Sequence, residues 1–154
     1  YKNRMWINDS KATNKNSTLA GLDGLNDTKT KAKGRKENEK EYDKNKTSKK
    51  IYLILGGDDK GANMGDLFAC LHNYNVELFI IGANTNIFCN LAKQNKLVYN
   101  DCKTLKNAVY KIDAKLQECN ELCLFSPSCA SFDQFNSYKH RGEVFKKLVK
   151  ELKD

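Results

Sequence analysis

One proline, one tryptophan and two histidines are all that 154 residues hold of those types. A lone Pro127 excludes collagen-like, elastic and mucin-like chains. No apolar run approaches the roughly 20 residues that span a bilayer. The longest runs, such as Ile51–Leu55 and Leu78–Ile81, are strand-sized. The start, YKNRMWINDS, does not resemble a secretory signal. Position 1 is Tyr rather than an initiator Met, so the chain reads as a piece of a longer polypeptide. No two of the six cysteines form a CxxC pair, and His72 and His140 stand apart from any ligand-like cluster. That excludes a standard zinc site. Neither GxGxxG nor GxxxxGK[ST] occurs, so no standard cradle for a dinucleotide or triphosphate is present. Ser126 and Ser131 lack the G-x-S-x-G context of a hydrolase nucleophile.

What is abundant is basic charge. Lys and Arg number 27 against 19 Asp and Glu, a net +8 with a pI near 9.1. Such a balance raises the question of nucleic acid. The segment Asn26–Lys50 carries 10 basic and 5 acidic residues, or +5 of that +8. Only Ala32 and Tyr42 in it are hydrophobic, too few to offset the entropy of ordering it. It reads as a flexible, low-complexity surface insertion. It lacks the interleaved aromatics of a stacking platform and the apolar face of a membrane helix. The rival reading, a basic nucleic-acid adaptor, requires salt-steep binding that deletion of this segment abolishes.

Outside that segment the apolar pattern alternates. Short runs with strand character are Met5–Asn8, Ile51–Leu55, Val76–Ile81, Leu97–Tyr99 and Leu122–Phe125. Between and after them, helical spacing predicts helices over Ser17–Leu25, Asp66–Tyr74, Asn86–Gln94, Thr104–Cys119 and Arg141–Leu152. Strand and helix in alternation predict an α/β fold: a Rossmann-like, mostly parallel sheet with helices on both faces, in a single domain. Strands apolar at consecutive positions fit a sheet covered on both sides. Cysteines inside apolar segments behave as small hydrophobes, which predicts a reduced, cytoplasmic protein.

In such sheets ligands bind beyond the carboxyl ends of the strands. Three polar loops follow strand ends here. The first is Asn8-Asp9-Ser10-Lys11-Ala12-Thr13-Asn14, the second Gly56-Gly57-Asp58-Asp59-Lys60-Gly61, and the third SPSCASFDQF, residues 126–135. If the first loop stays extended, alternation aims Asp9, Lys11 and Thr13 to one side. Otherwise Asp9 or Ser10 caps the next helix. Gly56-Gly57 either admits a ligand to the backbone or makes a tight turn. Lys60 either attracts a carboxylate or phosphate or is solvated. The third loop suits an anion at a helix start, or else Ser131 or Asp133 is a structural cap.

These three loops, in this order and followed by Tyr138 and Arg141-Gly142, closely resemble the carboxy-terminal domain of the Mur ligases, in the branch that adds D-glutamate. The motifs of the branches that add L-alanine, diaminopimelate or lysine are absent. The resemblance covers the chain apart from the 26–50 insertion. It implies an ATP- and Mg²⁺-dependent ligase of peptidoglycan synthesis. Such a ligase joins D-glutamate to UDP-N-acetylmuramoyl-L-alanine through an acyl phosphate. The P-loop and metal ligands belong to a central domain that this chain does not include, so the chain alone is expected to be inactive. By the same resemblance, Lys60 pairs with a D-glutamate carboxylate. Thr13, Ser131 and the backbone of Phe132 hydrogen-bond that amino acid, and Tyr138 bounds its pocket. Lys11, the one catalytic assignment, lies near the reacting carboxylate or phosphate, and Asp9 faces the nucleotide. Phe132 stands where the family often has Leu, and Tyr138 where it often has Phe. The implied partners are these substrates, with no nucleic acid, membrane or second subunit. A Rossmann-like domain for a nucleotide cofactor is the remaining alternative.

Overall fold

The structure, a computed structural model, describes residues 4–26, 49–117 and 120–152. Five strands are β1 (Met5–Asn8), β2 (Lys50–Gly56), β3 (Val76–Ile81), β4 (Tyr99–Lys103) and β5 (Glu121–Phe125). Five helices are α1 (Lys15–Asn26), α2 (Gly65–Cys70), α3 (Thr85–Gln94), α4 (Leu105–Lys115) and α5 (Tyr138–Glu151). A 3₁₀ turn, Leu71–Asn73, follows α2. The strands form one sheet in the order β1-β5-β2-β3-β4, and every pairing is parallel. The expected α/β architecture is therefore observed. The expected insertion, Asn26–Lys50, lies almost wholly outside the described residues.

The two-residue period of a strand sorts the core into two layers. Tyr52, Ile54, Phe79, Ile81, Cys123 and Phe125 face one side, packed by Ala108, Val109 and Ile112 of α4 and Phe145 of α5. Ile51, Leu53, Leu55, Leu78, Ile80 and Leu124 face the other, packed by Leu22 of α1, Leu67 and Phe68 of α2 and Phe88 of α3. Each fully buried Leu, Ile or Phe contributes about 1.5–3 kcal/mol. β1 and β4 are the sheet edges, and Met5 and Tyr99 on them remain exposed.

Three elements differ from the sequence reading. β4 runs Tyr99–Lys103 rather than Leu97–Tyr99. It pairs only with β3, and an edge strand tolerates the polar Asn100 and Asp101 that a buried one would not. The predicted helix over Asp66–Tyr74 is α2 followed by the tighter 3₁₀ turn. The predicted helix to Cys119 ends at Lys115, because Leu116 turns extended at φ −71°, ψ 97°. Leu116 still reaches the core, so its i+4 spacing from Ile112 persists in space without the helix. Cys119 lies outside the described residues. Cys70, Cys89, Cys102, Cys123 and Cys129 are free thiols.

Candidate functional site

The order β1-β5-β2 places the three polar loops side by side at the carboxyl end of the sheet. The third loop, after β5, sits centrally and is bonded to both neighbours. Toward β2, Asp58 and Ala130 form an antiparallel bridge: Asp58 N–H donates to the Ala130 carbonyl at 3.1 Å, and Ala130 N–H returns the bond at 2.9 Å. The Gly56 amide donates to the Pro127 carbonyl at 2.9 Å. Toward β3, Asp133 Oδ2 accepts from the Ala83 amide at 2.9 Å. The Gln134 side chain donates to the carbonyl of Lys103, the last residue of β4, at 3.0 Å.

The glycines here answer to close approach. A Cβ on Gly57 (φ +138°) would lie 2.5 Å from the Ala130 carbonyl oxygen. One on Gly82 (φ +90°) would lie 2.6 Å from the Gly57 Cα. Both φ values are ones that L side chains rarely adopt. Gly56-Gly57 thus serves to let the loops touch, while the turn itself closes further on, where the Ala62 amide donates to the Asp59 carbonyl at 2.9 Å.

Toward β1 the tie is Arg141, in the first turn of α5 and only 1% exposed. Its Nε donates to Ser10 Oγ at 3.0 Å, Nη2 to the Ser10 carbonyl at 2.8 Å and Nη1 to the Cys129 carbonyl at 2.9 Å. Ser10 Oγ in turn donates to the Tyr138 carbonyl at 2.8 Å. Burial lowers the Arg141 pKa to about 10, which leaves it charged at neutral pH. Burial also pushes the Cys129 thiol up to about 12, so it is no thiolate nucleophile. Gly142 lets α5 approach, since a Cβ there would sit 3.3 Å from that of Ser10.

The site residues expected from sequence fall into three groups. Lys60 and Phe132 come together, with Lys60 Nζ 5.8 Å from the Phe132 ring centroid. Ser131, buried at 2%, anchors that turn by accepting at its carbonyl from the Gln134 and Phe135 amides at 3.3 and 2.8 Å. Tyr138, the first residue of α5, keeps its side chain exposed and meets the first loop through its carbonyl. Lys11 and Thr13 are exposed, and no polar bond ties either side chain to another described residue.

Asp9 is separate from both. The first loop does not stay extended: Ala12 N–H donates to the Asp9 carbonyl at 2.9 Å, closing a turn. Alternation therefore fails, and Asp9 points inward while Lys11 and Thr13 face solvent. Asp9 Oδ2 accepts from Ser126 Oγ at 2.9 Å. Ser126 Oγ and Ser128 Oγ both meet Thr18 Oγ1, at 3.1 and 2.6 Å. Asp9 also lines a cleft of about 470 Å³ between β1 and α1, with Ile7, Leu124, Ser17, Gly21 and Gly24.

The capping expectations are corrected. Asn14, not Asp9 or Ser10, caps α1 through a 2.9 Å bond from the Ser17 amide. Ser137, not Ser131 or Asp133, caps α5 by accepting from the His140 amide at 3.0 Å. The third loop is consequently a turn ahead of α5, not the helix start itself. The sequence offers Ser10 only as a helix cap and assigns no role to Arg141, Thr18 or Ser128, yet these four side chains hold the loops together. One signal was available: Arg141 stands four residues before Phe145 and seven before Leu148, on the apolar face of α5.

Among the described residues, no group of three His, Cys, Asp or Glu could hold a metal ion. The described residues therefore offer no such cluster for Mg²⁺. For a nucleotide they fit in part, offering a carboxylate on a cleft and a free lysine nearby in sequence.

Fold and loops together define a Rossmann-like α/β domain with its three strand-end loops fastened into one surface. No family model matches the chain. Curated relatives do, and three of them bear the name UDP-N-acetylmuramoylalanine–D-glutamate ligase. That of Campylobacter jejuni is 40% identical over 151 residues, 98% of this chain and 32% of the relative. That of Helicobacter pylori is 41% identical over 98% of this chain and 30% of its own length. That of Aliivibrio fischeri is 33% identical over 95% of this chain and 28% of its own. The chain belongs to the family of these ligases and matches the carboxy-terminal part of its members. It spans about a third of their length.

Proposed function

We propose that this chain is the amino-acid-presenting domain of an ATP-dependent ligase that joins D-glutamate to UDP-N-acetylmuramoyl-L-alanine. The observation that carries the reading is Lys60, whose ammonium meets no described carboxylate, held beside the Ser131–Phe132 turn. The Phe132 amide donates to no described residue, so a donor stands next to a cation. D-glutamate is a dianion with one ammonium, and binding it calls for such a set. Lys60 pairs with one carboxylate, Ser131, Thr13 and the Phe132 amide take hydrogen bonds, and Tyr138 bounds the pocket.

Lys11 supplies charge to the reacting carboxylate or its phosphate. Asp9, on the cleft beside α1, faces the nucleotide. ATP supplies the phosphoryl group that activates the acceptor carboxylate, with Mg²⁺ held by residues outside this chain. The contribution of this domain is positioning: the D-glutamate amine is held for attack on the activated carbonyl, and water is kept away. No described helix is long and apolar enough to cross a membrane, and we place the enzyme in the cytoplasm as a monomer.

The test is phosphate release by the full-length protein. It should require ATP, UDP-N-acetylmuramoyl-L-alanine and D-glutamate together, and the 154-residue chain alone should release none. Release supported equally by L-glutamate, or release by the chain alone, would overturn the assignment.

A further inference from the structure

We propose that the Phe132 ring is a positioning group for Lys60, holding its ammonium over the Ser131–Phe132 turn before the amino acid arrives. The proposal rests on the reading of Lys60 as the partner of a D-glutamate carboxylate.

The backbone of Lys60 is fixed and its charge is uncommitted. Lys60 stands at φ +50° and Gly61 at +72°, both left-handed. The Lys60 amide donates to Asp58 Oδ1 and the Gly61 amide to Asp59 Oδ1, each at 2.9 Å. Both neighbouring carboxylates are thereby engaged with the main chain. No ion pair joins Lys60 to a described residue. What the ammonium does meet is the Phe132 ring, at 5.8 Å from the centroid, inside the range of cation–π attraction.

Phe132 has no packing role that competes with this one. It is 67% exposed, the most exposed large hydrophobic residue described, while Ser131 beside it is 2% exposed. The turn is anchored by Ser131 and the ring stands free above it. A lysine stem has four rotatable bonds, and confining it costs entropy on binding. A ring that already confines the ammonium removes part of that cost. Leucine offers no negative face and cannot substitute.

The test is a double-mutant cycle in the full-length ligase carrying this sequence, reading KM for D-glutamate and for ATP. Phe132→Leu should raise the D-glutamate KM about two- to five-fold, the range that an exposed cation–π contact allows. The ATP KM should not move, and Phe132→Tyr should restore the wild-type value. In a Lys60→Ala background, Phe132→Leu should change nothing further. A wild-type D-glutamate KM in Phe132→Leu, or the same rise with Lys60 absent, would overturn the proposal and leave the site reading standing. An unchanged D-glutamate KM in Lys60→Ala itself would remove both.

Discussion

Arg141 carries a full charge into the interior with no carboxylate of the described residues bonded to it. Its fork instead collects Ser10 Oγ and the carbonyls of Ser10 and Cys129, with its face over Phe125 at 5.9 Å. One side chain thereby fastens the loop after β1 to the loop after β5. Arg141→Ala leaves those acceptors without their donor and opens a cavity, so denaturant unfolding should register a loss of about 3 kcal/mol. Arg141→Lys keeps the charge but not the planar fork, and should recover less than half of that loss. A single residue of this kind is hard to read from sequence. Composition marks Arg as a surface type, and only its place on the apolar face of α5 betrays it. Asp9 illustrates the opposite difficulty. Its residue type suited a ligand, but its direction was set by a turn between Asp9 and Ala12 that the string NDSKATN does not announce.

Elements were more legible than side-chain directions. β1 and β3 run where their apolar runs predict, and α3 and α5 begin within one to three residues of expectation. Burial on both faces leaves β3 with a continuous apolar run, Leu78–Ile81. β4 was misplaced because its sequence, YNDCK, is mostly polar and carries no such run, and the end of α4 because Leu116 keeps the spacing after the helix stops. Within α1, two glycines separate propensity from contact. A Cβ on Gly24 meets nothing within 4 Å, whereas one on Gly21 lies 3.3 Å from Asp9 Oδ2. Gly24→Ala should therefore raise stability by about 0.5–1 kcal/mol. Gly21→Ala should gain less or lose, because Asp9 must give way. Thermal unfolding of the two variants side by side checks the contrast. Gly82→Ala should be worse than either, since the clash there is with backbone.

At the scale of the whole molecule the two ends of the sheet do different work. The carboxyl end holds the three loops; the opposite end holds an ion cluster. Glu77, 4% exposed at the second residue of β3, meets Lys115 at 2.5 Å and Lys50 at 3.2 Å and accepts from Asn100. Burial acts to raise its pKa, but the bonds from Lys115, Asn100 and Lys50 outweigh it and lower the value below 4.5. A carboxylate with a depressed folded pKa stabilises the fold above its unfolded value, and that contribution is lost as pH falls through the folded one. Wild type should accordingly exceed Glu77→Gln in denaturation midpoint at pH 7, and the gap should close below about pH 4.5. A gap that stays constant with pH would show that Glu77 acts by packing alone. The net charge belongs to this scale too. Of the +8, +5 sits in residues 26–50, so most of the charge that first raises the question of nucleic acid belongs to residues other than those of the three loops.

The proposed binding of D-glutamate turns on Lys60. The measurement that tests it most directly is the steady-state kinetics of Lys60→Ala in the full-length ligase, with D-glutamate and ATP varied separately. Loss of a charge-assisted contact to a carboxylate is worth about 1.5–3 kcal/mol, so the D-glutamate KM should rise more than tenfold while the ATP KM stays near its wild-type value. Unaltered D-glutamate kinetics, or an equal rise for both substrates, would contradict the account.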